Sequence, residues 1–167
     1  YPSPSGILFT EEDALRLSKI DELIFICGRY EGVDQRIIDR YVDEELSIGN
    51  YVLSSGELAS LVIIDAVYRH IQGVIKKESL EEESFTDGLL EYPHYTRPAV
   101  FKEDEVPREL LSGNHEEIRK WRLKKRLEKT YRNRRDLLSR ISLSEEAEDM
   151  LKEIEEEEGS HGSHTTG

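Results

Sequence analysis

The chain has 167 residues, 37% of them hydrophobic and 35% charged, which indicates one or two small units with a limited core. Its single cysteine, Cys27, excludes an intrachain disulfide and favours a reducing compartment. No apolar run reaches the length of a membrane span, so we expect a cytoplasmic protein without a membrane partner.

The net charge of −13 is distributed unevenly along the chain. Residues 115–140 contain eleven Lys or Arg against four acidic residues, whereas residues 145–158 contain nine acidic residues against one Lys. A solvated helix with internal i,i+4 ion pairs is one interpretation of the basic segment. Its bias to one sign is too strong for such pairing, and binding to nucleic acid depends on the charge of a face. We therefore expect this segment to contact phosphates.

The first half of the chain alternates helix and strand signals. Thr10 and Asp13 form a capping box that predicts a helix, whose expected buried side is Ala14, Leu15, Leu17 and Ile20. Residues 23–27 form a continuous apolar run, as in a strand covered on both faces, and residues 51–53 predict another short strand.

Two further helices are predicted in this half. Asp34 is expected to cap a short helix, and residues 58–71 predict a largely buried one. The alternation indicates an α/β domain with a parallel sheet over residues 1–75.

The second half begins where periodicity ends. Residues 76–96 are polar and contain proline, which predicts an interdomain linker. Asn114 is expected to cap the basic helix, and Ser142 and Glu145 are expected to form a capping box for a last helix. Residues 97–158 are thus predicted as a small all-α domain, followed by a disordered tail over residues 159–167.

Two glycine-containing loops lie beside apolar runs in the first half, at residues 27–32 (CGRYEG) and 47–58 (SIGNYVLSSGEL). Backbone that bends at the ends of adjacent strands offers free N–H and C=O groups to a ligand. One such loop alone is usually an ordinary turn, but the pair predicts a cofactor site.

With the blocks IDAVYR, DGLLEYPHYTRP and LSGNHEEIRKWRLKKRLEKT, these loops occur in the order and spacing of one family. The chain resembles bacterial tRNA (guanine-N1)-methyltransferase. The resemblance implies a deep trefoil knot in the α/β domain, a homodimer, and S-adenosylmethionine as cofactor. It also implies methylation of tRNA at N1 of the guanosine immediately 3′ of the anticodon, and a helical domain that binds this tRNA.

The resemblance also implies particular residues. Those expected around S-adenosylmethionine, with Glu31 near its cationic end, are Tyr1, Pro2, Ser3, Pro4, Gly28, Tyr30, Glu31, Ser47, Ile48, Gly49, Tyr51, Leu53, Ser55 and Gly56. Arg69 is expected to stabilise charge on guanine O6, and a linker carboxylate is expected to accept the N1 proton. Those expected to contact tRNA are His94, Tyr95, Arg97, His115 and Arg119.

Some positions depart from the family pattern. The linker carboxylate is Glu83 where the family has Asp, and Asp87 is a second candidate for the base. Ser55 and Ala59 replace residues that are usually Gly and often Pro in the family, and Pro2 replaces an aliphatic residue.

Other assignments stay open. The Tyr95 region either stacks on a base or anchors the helical domain, and Trp121 favours core packing. No second His or Cys lies at ligand spacing from His94, so no metal is expected.

The family also has a segment before the position of Tyr1. We therefore expect the chain by itself to have impaired activity. Two alternatives to the leading function are a ribose 2′-O-methyltransferase of the same superfamily and a non-catalytic RNA-binding fragment. The first lacks support because residues 1–10 contain no Arg for the hydroxyl.

Overall fold

The structure is a computed structural model that describes residues 1–30, 32–74, 84–85 and 87–161, with side chains to residue 159. The chain divides into two compact units, Tyr1–Ser79 and Leu80–Gly167. Within the described residues, no helix is both long and apolar enough to cross a membrane.

The first unit is a mixed α/β unit built on a parallel pair of strands. Its elements are β1 (Pro2–Leu8), α1 (Glu11–Leu17), α2 (Gln35–Tyr41), β2 (Leu46–Ser47) and α3 (Gly56–Arg69). The amide of Ile7 donates to the Glu45 carbonyl at 2.9 Å, and the amide of Phe9 donates to the Ser47 carbonyl at 2.8 Å. The α/β class with parallel pairing is thereby confirmed.

The two strands approach each other so closely that one position needs glycine. A Cβ on Gly6 would lie 2.5 Å from the Glu45 carbonyl carbon and 2.6 Å from the Leu46 nitrogen, both backbone atoms. Because backbone atoms cannot yield like a flexible side chain, Gly6 is required for this contact.

The predicted helix starts in this unit are confirmed. Thr10 and Asp13 bond reciprocally in a capping box at the start of α1. The Asp34 carboxylate accepts a bond from the Arg36 amide at the start of α2.

The predicted strands in this unit are wrong. Residues 23–27 and 51–53 are not strands, whereas residues 2–8 form β1. A strand needs a partner for its backbone hydrogen bonds, and the recorded strand pairings include neither predicted stretch. The first stretch is nevertheless oriented, since Leu23 and Phe25 pack on the core while Ile24 is exposed.

The core of the first unit lies between α1, β2 and α3 and consists of Ala14, Leu17, Leu46, Ile63 and Val67. The predicted burial of α1 and α3 is only half right. Leu15 and Ile20 are exposed, and α3 buries one side only. Its exposed apolar residues are Leu58, Leu61, Val62, Ile64 and Tyr68.

The second unit is mostly helical. Its elements are β3 (Val100–Phe101), β4 (Asp104–Glu105), α4 (Arg108–Leu111), α5 (His115–Asn133), α6 (Arg135–Leu138) and α7 (Glu145–His161). Helices α5 and α7 pack on each other around Leu127, Ala147 and Ile154, which are joined by Leu89.

Three expectations for this unit can be compared with the structure. Asn114 caps α5 as predicted. The predicted role of Ser142 is wrong, because the hydroxyl of Ser144 accepts from the Ala147 amide at the start of α7. Residues 159–161 are helical rather than disordered, and residues 162–167 lie outside the described residues.

The later part of the predicted linker packs within this second unit. Leu89 and Tyr92 are buried, and the Leu90 amide donates to the Thr130 hydroxyl at 2.9 Å. Thr130 has no exposed surface, and its hydroxyl donates to the Arg126 carbonyl at 2.8 Å. Residues 89–92 are therefore fixed to α5.

Candidate functional site

One pocket of about 270 Å³ in the first unit collects most of the residues expected around a cofactor. The expected residues that line it are Tyr1, Pro2, Ser3, Pro4, Gly28, Tyr30, Ser47, Ile48, Gly49, Tyr51, Leu53, Ser55 and Gly56. Glu31 lies outside the described residues. The loop at 27–32, the loop at 47–56 and the start of β1 thus meet at one concave surface.

The loop after β2 is held by its own hydrogen bonds. The Ser47 hydroxyl donates to the Gly49 carbonyl at 3.1 Å, and the Tyr51 hydroxyl donates to the Ile48 carbonyl at 3.2 Å. Gly49 has φ = 149°, and a Cβ there would lie 2.5 Å from the Tyr51 ring. This position therefore demands glycine both for its backbone and for the close approach of the ring.

The loop after Cys27 carries an unusual backbone at Tyr30. This residue has φ = 54°, a left-handed conformation that is costly for a large side chain, and its ring is 98% exposed. An exposed aromatic side chain held in this way beside a pocket is available to contact a ligand.

The two loops are joined to each other. The Gly56 amide donates to the Gly28 carbonyl at 3.4 Å, and the Arg29 guanidinium Nε donates to the Glu57 carboxylate at 3.1 Å. The Ser55 hydroxyl first, then the backbone amide and Arg29, lower the pKa of Glu57 to about 2, so this carboxylate is ionised at neutral pH.

Arg29 also lines the pocket, although it was not among the residues expected around the cofactor. The available signal for this ion pair was an arginine in the first loop together with an acidic residue, Glu57, at the start of α3.

Arg69 does not line this pocket. It lies at the end of α3 beside a separate concave surface with Leu58, Asp65, Ala66 and His70. The His70 imidazole is 2.8 Å from the Glu11 carboxylate, which connects the end of α3 to α1. The first unit by itself therefore does not bring Arg69 to the proposed cofactor residues.

The two candidate bases are placed differently. Glu83 lies outside the described residues. Asp87 is held by Arg126, whose Nη1 donates to one carboxylate oxygen at 2.8 Å while Nη2 bonds to the other. Burial raises the pKa of Asp87, but the hydrogen bonds and charge of Arg126 outweigh it and hold this pKa below its usual range.

Residues expected to contact tRNA line part of a groove on the second unit. This groove of about 540 Å³ contains Tyr92, His115, Ile118, Arg119, Arg122, Leu123 and Arg126. Arg122, which was expected to contact phosphates only as part of the basic segment, has its guanidinium 4.6 Å from the centre of the Tyr92 ring. The spacing of His115, Arg119, Arg122 and Arg126, which share a helix face, was the available signal.

The other three residues expected to contact tRNA belong to the segment before β3. His94 contacts the Glu91 carboxylate at 2.6 Å. The Tyr95 ring meets the Trp121 ring edge-on at 6.2 Å, which supports an anchoring role for Tyr95. Arg97 is exposed.

Basic residues of α5 and α6 form ion pairs with acidic residues of α7, although the basic segment was expected to be too strongly of one sign for such pairing. The pairs are Arg119–Glu146, Lys124–Glu157, Arg132–Glu158 and Arg135–Glu155. The excess of one sign in residues 115–140 is thus partly balanced by a different helix.

Among the described residues, no group of three or more His, Cys, Asp or Glu is placed to hold a metal ion.

Comparison with known proteins decides the family. The model of the family described as tRNA (Guanine-1)-methyltransferase TrmD matches residues 1–140. The chain belongs to this family. The tRNA (guanine-N(1)-)-methyltransferase of Treponema denticola is 61% identical over 161 residues, covering 94% of this chain and 66% of the relative. The protein of the same name from Borrelia turicatae is 66% identical over 139 residues, covering 82% of this chain and 58% of the relative.

The tRNA (guanine-N1)-methyltransferase family therefore accounts for both units of the chain. The Treponema pallidum member is 58% identical over 161 residues and is covered to 64% of its length. The chain thus spans about three-fifths to two-thirds of the relatives that it matches.

Proposed function

We propose that this chain supplies the cofactor pocket and the tRNA-binding unit of a methyltransferase that acts on N1 of the guanosine immediately 3′ of the anticodon. The observation that carries the proposal is the single pocket lined by residues of both glycine loops and of β1. Family membership supports methylation of guanine N1 in tRNA, since the relatives are named for that reaction.

S-adenosylmethionine is the proposed cofactor, and when bound it supplies an electrophilic methyl group. The pocket fits such a molecule because the side chains of Tyr51 and Leu53 line it together with the loop backbone at Gly28 and Gly56. A Cβ at Gly56 would lie 3.3 Å from the Cys27 Cα, so glycine allows the two loops to approach each other this closely. Glu31 is proposed to hold the cationic end.

Guanine N1 carries a proton at neutral pH, and its lone pair becomes a good nucleophile only as that proton leaves. We assign the proton acceptor to Glu83, because both oxygens of the alternative, Asp87, are engaged by Arg126. Arg69 stabilises the negative charge that develops on guanine O6.

A homodimer is proposed because Arg69 and the cofactor pocket lie on separate surfaces of one unit. A site that draws on two copies removes this separation. The exposed apolar side of α3 next to Arg69 is a surface that such a partner would cover. The deep trefoil knot and the cytoplasmic location are proposed on family membership alone.

His94, Tyr95, Arg97, His115 and Arg119 are proposed to contact tRNA. The groove of the second unit supports this assignment for His115 and Arg119, which lie beside Arg122 and the Tyr92 ring. Guanidinium groups next to an aromatic ring suit phosphates and unstacked bases.

Calorimetric titration of the chain with S-adenosylmethionine and with sinefungin, alone and with tRNA, tests the proposal. We expect saturable binding of both compounds at one site, with sinefungin displacing the cofactor. If neither compound binds, either to the chain alone or in the presence of tRNA, the proposed cofactor site is overturned. Salt-sensitive tRNA binding that is indifferent to the cofactor would then identify an RNA-binding fragment.

A further inference from the structure

Acidic helix α7 lies along basic helix α5 and occupies several of its cations. Glu146 accepts from Arg119 at 2.7 Å near one end of the contact, and Glu158 accepts from the Nε of Arg132 at 2.8 Å near the other. Lys124 lies 3.5 Å from Glu157, and Arg135 of α6 lies 3.3 Å from Glu155. These four cations and four carboxylates are called the α7 ion pairs below.

The position of α7 does not depend on these ion pairs. Its apolar side contributes Ala147 and Ile154 to the core around Leu127, and each of the three is at most 3% exposed. The ion pairs lie outside this core and are open to solvent, with side-chain exposures of 35–67%. Exposed pairs of this kind bind weakly, so a phosphate can displace the carboxylate while the helix remains docked.

We propose that α7 is an intramolecular competitor of RNA phosphates for the cations of α5 and α6. The carboxylates of α7 occupy the positions that phosphates would take on Arg119, Lys124, Arg132 and Arg135. Binding of a polyanion at these positions therefore requires exchange of carboxylate for phosphate. The identity of the polyanion as RNA rests on the proposed function.

A matched pair of triple variants of the whole chain tests this competition. E155Q/E157Q/E158Q removes three carboxylates of the α7 ion pairs. E148Q/E153Q/E156Q removes three exposed carboxylates of the same helix that form no ion pair within the described residues. Both triples change the net charge equally, so a difference between them reports pairing. The probes are an anticodon stem-loop RNA and heparin, each titrated at several salt concentrations.

We expect the first triple to bind RNA about tenfold more tightly than the control triple at low salt. Its plot of log affinity against log salt should be steeper by about 2, since three freed cations can neutralise three phosphates. The control triple should gain less than about threefold, through the general field of the protein, which salt screens.

Equal affinities and equal salt slopes for the two triples would overturn the competition. Heparin separates this result from a failure of the proposed function, because heparin contains no base to recognise. If the two triples differ in their affinity for heparin but not for RNA, the competition is supported and RNA is rejected as the polyanion. Single variant Glu158→Gln, with an expected gain of two- to threefold, provides the test if the first triple folds poorly.

Discussion

Arg126 grips both carboxylate oxygens of Asp87, across 39 positions of the chain. The same guanidinium donates from Nε to the Leu90 carbonyl at 3.2 Å, and its side chain is 12% exposed. One arginine thus fixes the segment that follows Glu83 in the sequence to the surface of α5. Because Arg126 engages both oxygens of Asp87, we propose a structural role for this carboxylate.

Asp87→Asn should lower the free energy of unfolding by about 1–2 kcal/mol at pH 7, since it weakens a charge-assisted pair that is half exposed. The pKa of Asp87 is lowered in the folded chain, so its stabilisation is fully present above the unfolded pKa. It is lost as pH falls through the folded pKa. Urea unfolding of both proteins from pH 7 down to pH 3 should show the difference shrinking.

Asp149→Asn is the control for this measurement. Asp149 pairs with Lys152 at 3.1 Å on the same helix, and both side chains are about two-thirds exposed. Its loss should change the unfolding free energy by less than about 0.5 kcal/mol. Equal effects at positions 87 and 149 would contradict a structural role for the Arg126 contact.

Thr130→Val should destabilise the second unit by about 1–3 kcal/mol, because the Leu90 amide then faces a methyl group instead of a hydroxyl. Thr130→Ser keeps the hydroxyl and loses one buried methyl, which costs about 1 kcal/mol. Thermal and urea unfolding should therefore rank the proteins as wild type, Ser, then Val. A Val variant as stable as the wild type would show that the bond from Leu90 contributes nothing.

Gly49→Ala should reduce S-adenosylmethionine affinity by more than about tenfold, because a Cβ there collides with the Tyr51 ring at the wall of the pocket. Gly73→Ala is the control: Gly73 also has positive φ (89°), but a Cβ there meets nothing within 4 Å. Both positions have positive φ, so an alanine strains the backbone in both variants. Equal losses of affinity in calorimetric titration would mean that strain, not the pocket, explains the effect.

Glu83→Gln should lower turnover by about two to four orders of magnitude. The variant is made in a full-length enzyme of the family that contains this sequence. Cofactor affinity should stay nearly unchanged, since the proposed role concerns only the proton on N1. Single-turnover kinetics and calorimetry measure the two quantities. A change in turnover below about threefold would move the base to another residue.

Local signals predicted the helix starts well. The capping residues Thr10, Asp34 and Asn114 act within three residues of their own position, so the sequence contains the whole interaction. The pocket residues were predicted from a family pattern, which carries long-range information that periodicity lacks.

Long-range partners could not be predicted from the residues alone. Strand β1 exists because residues 2–8 meet residues 46–47, and nothing local indicates that pairing. Arg119 pairs with Glu146 through the packing of α5 on α7, two helices that are separated in the chain by α6. The prediction that α3 is largely buried failed for the same reason, since the composition of the helix does not indicate which side faces the core.

The Gly56 amide donates a long hydrogen bond to the Gly28 carbonyl, and this bond connects the two loops of the pocket. At 3.4 Å it is near the limit of a hydrogen bond and is therefore weak. A molecule that contacts both loops would stabilise this hydrogen bond. Hydrogen exchange at the amide of Gly56 would then act as a built-in gauge of occupancy, readable at one backbone position.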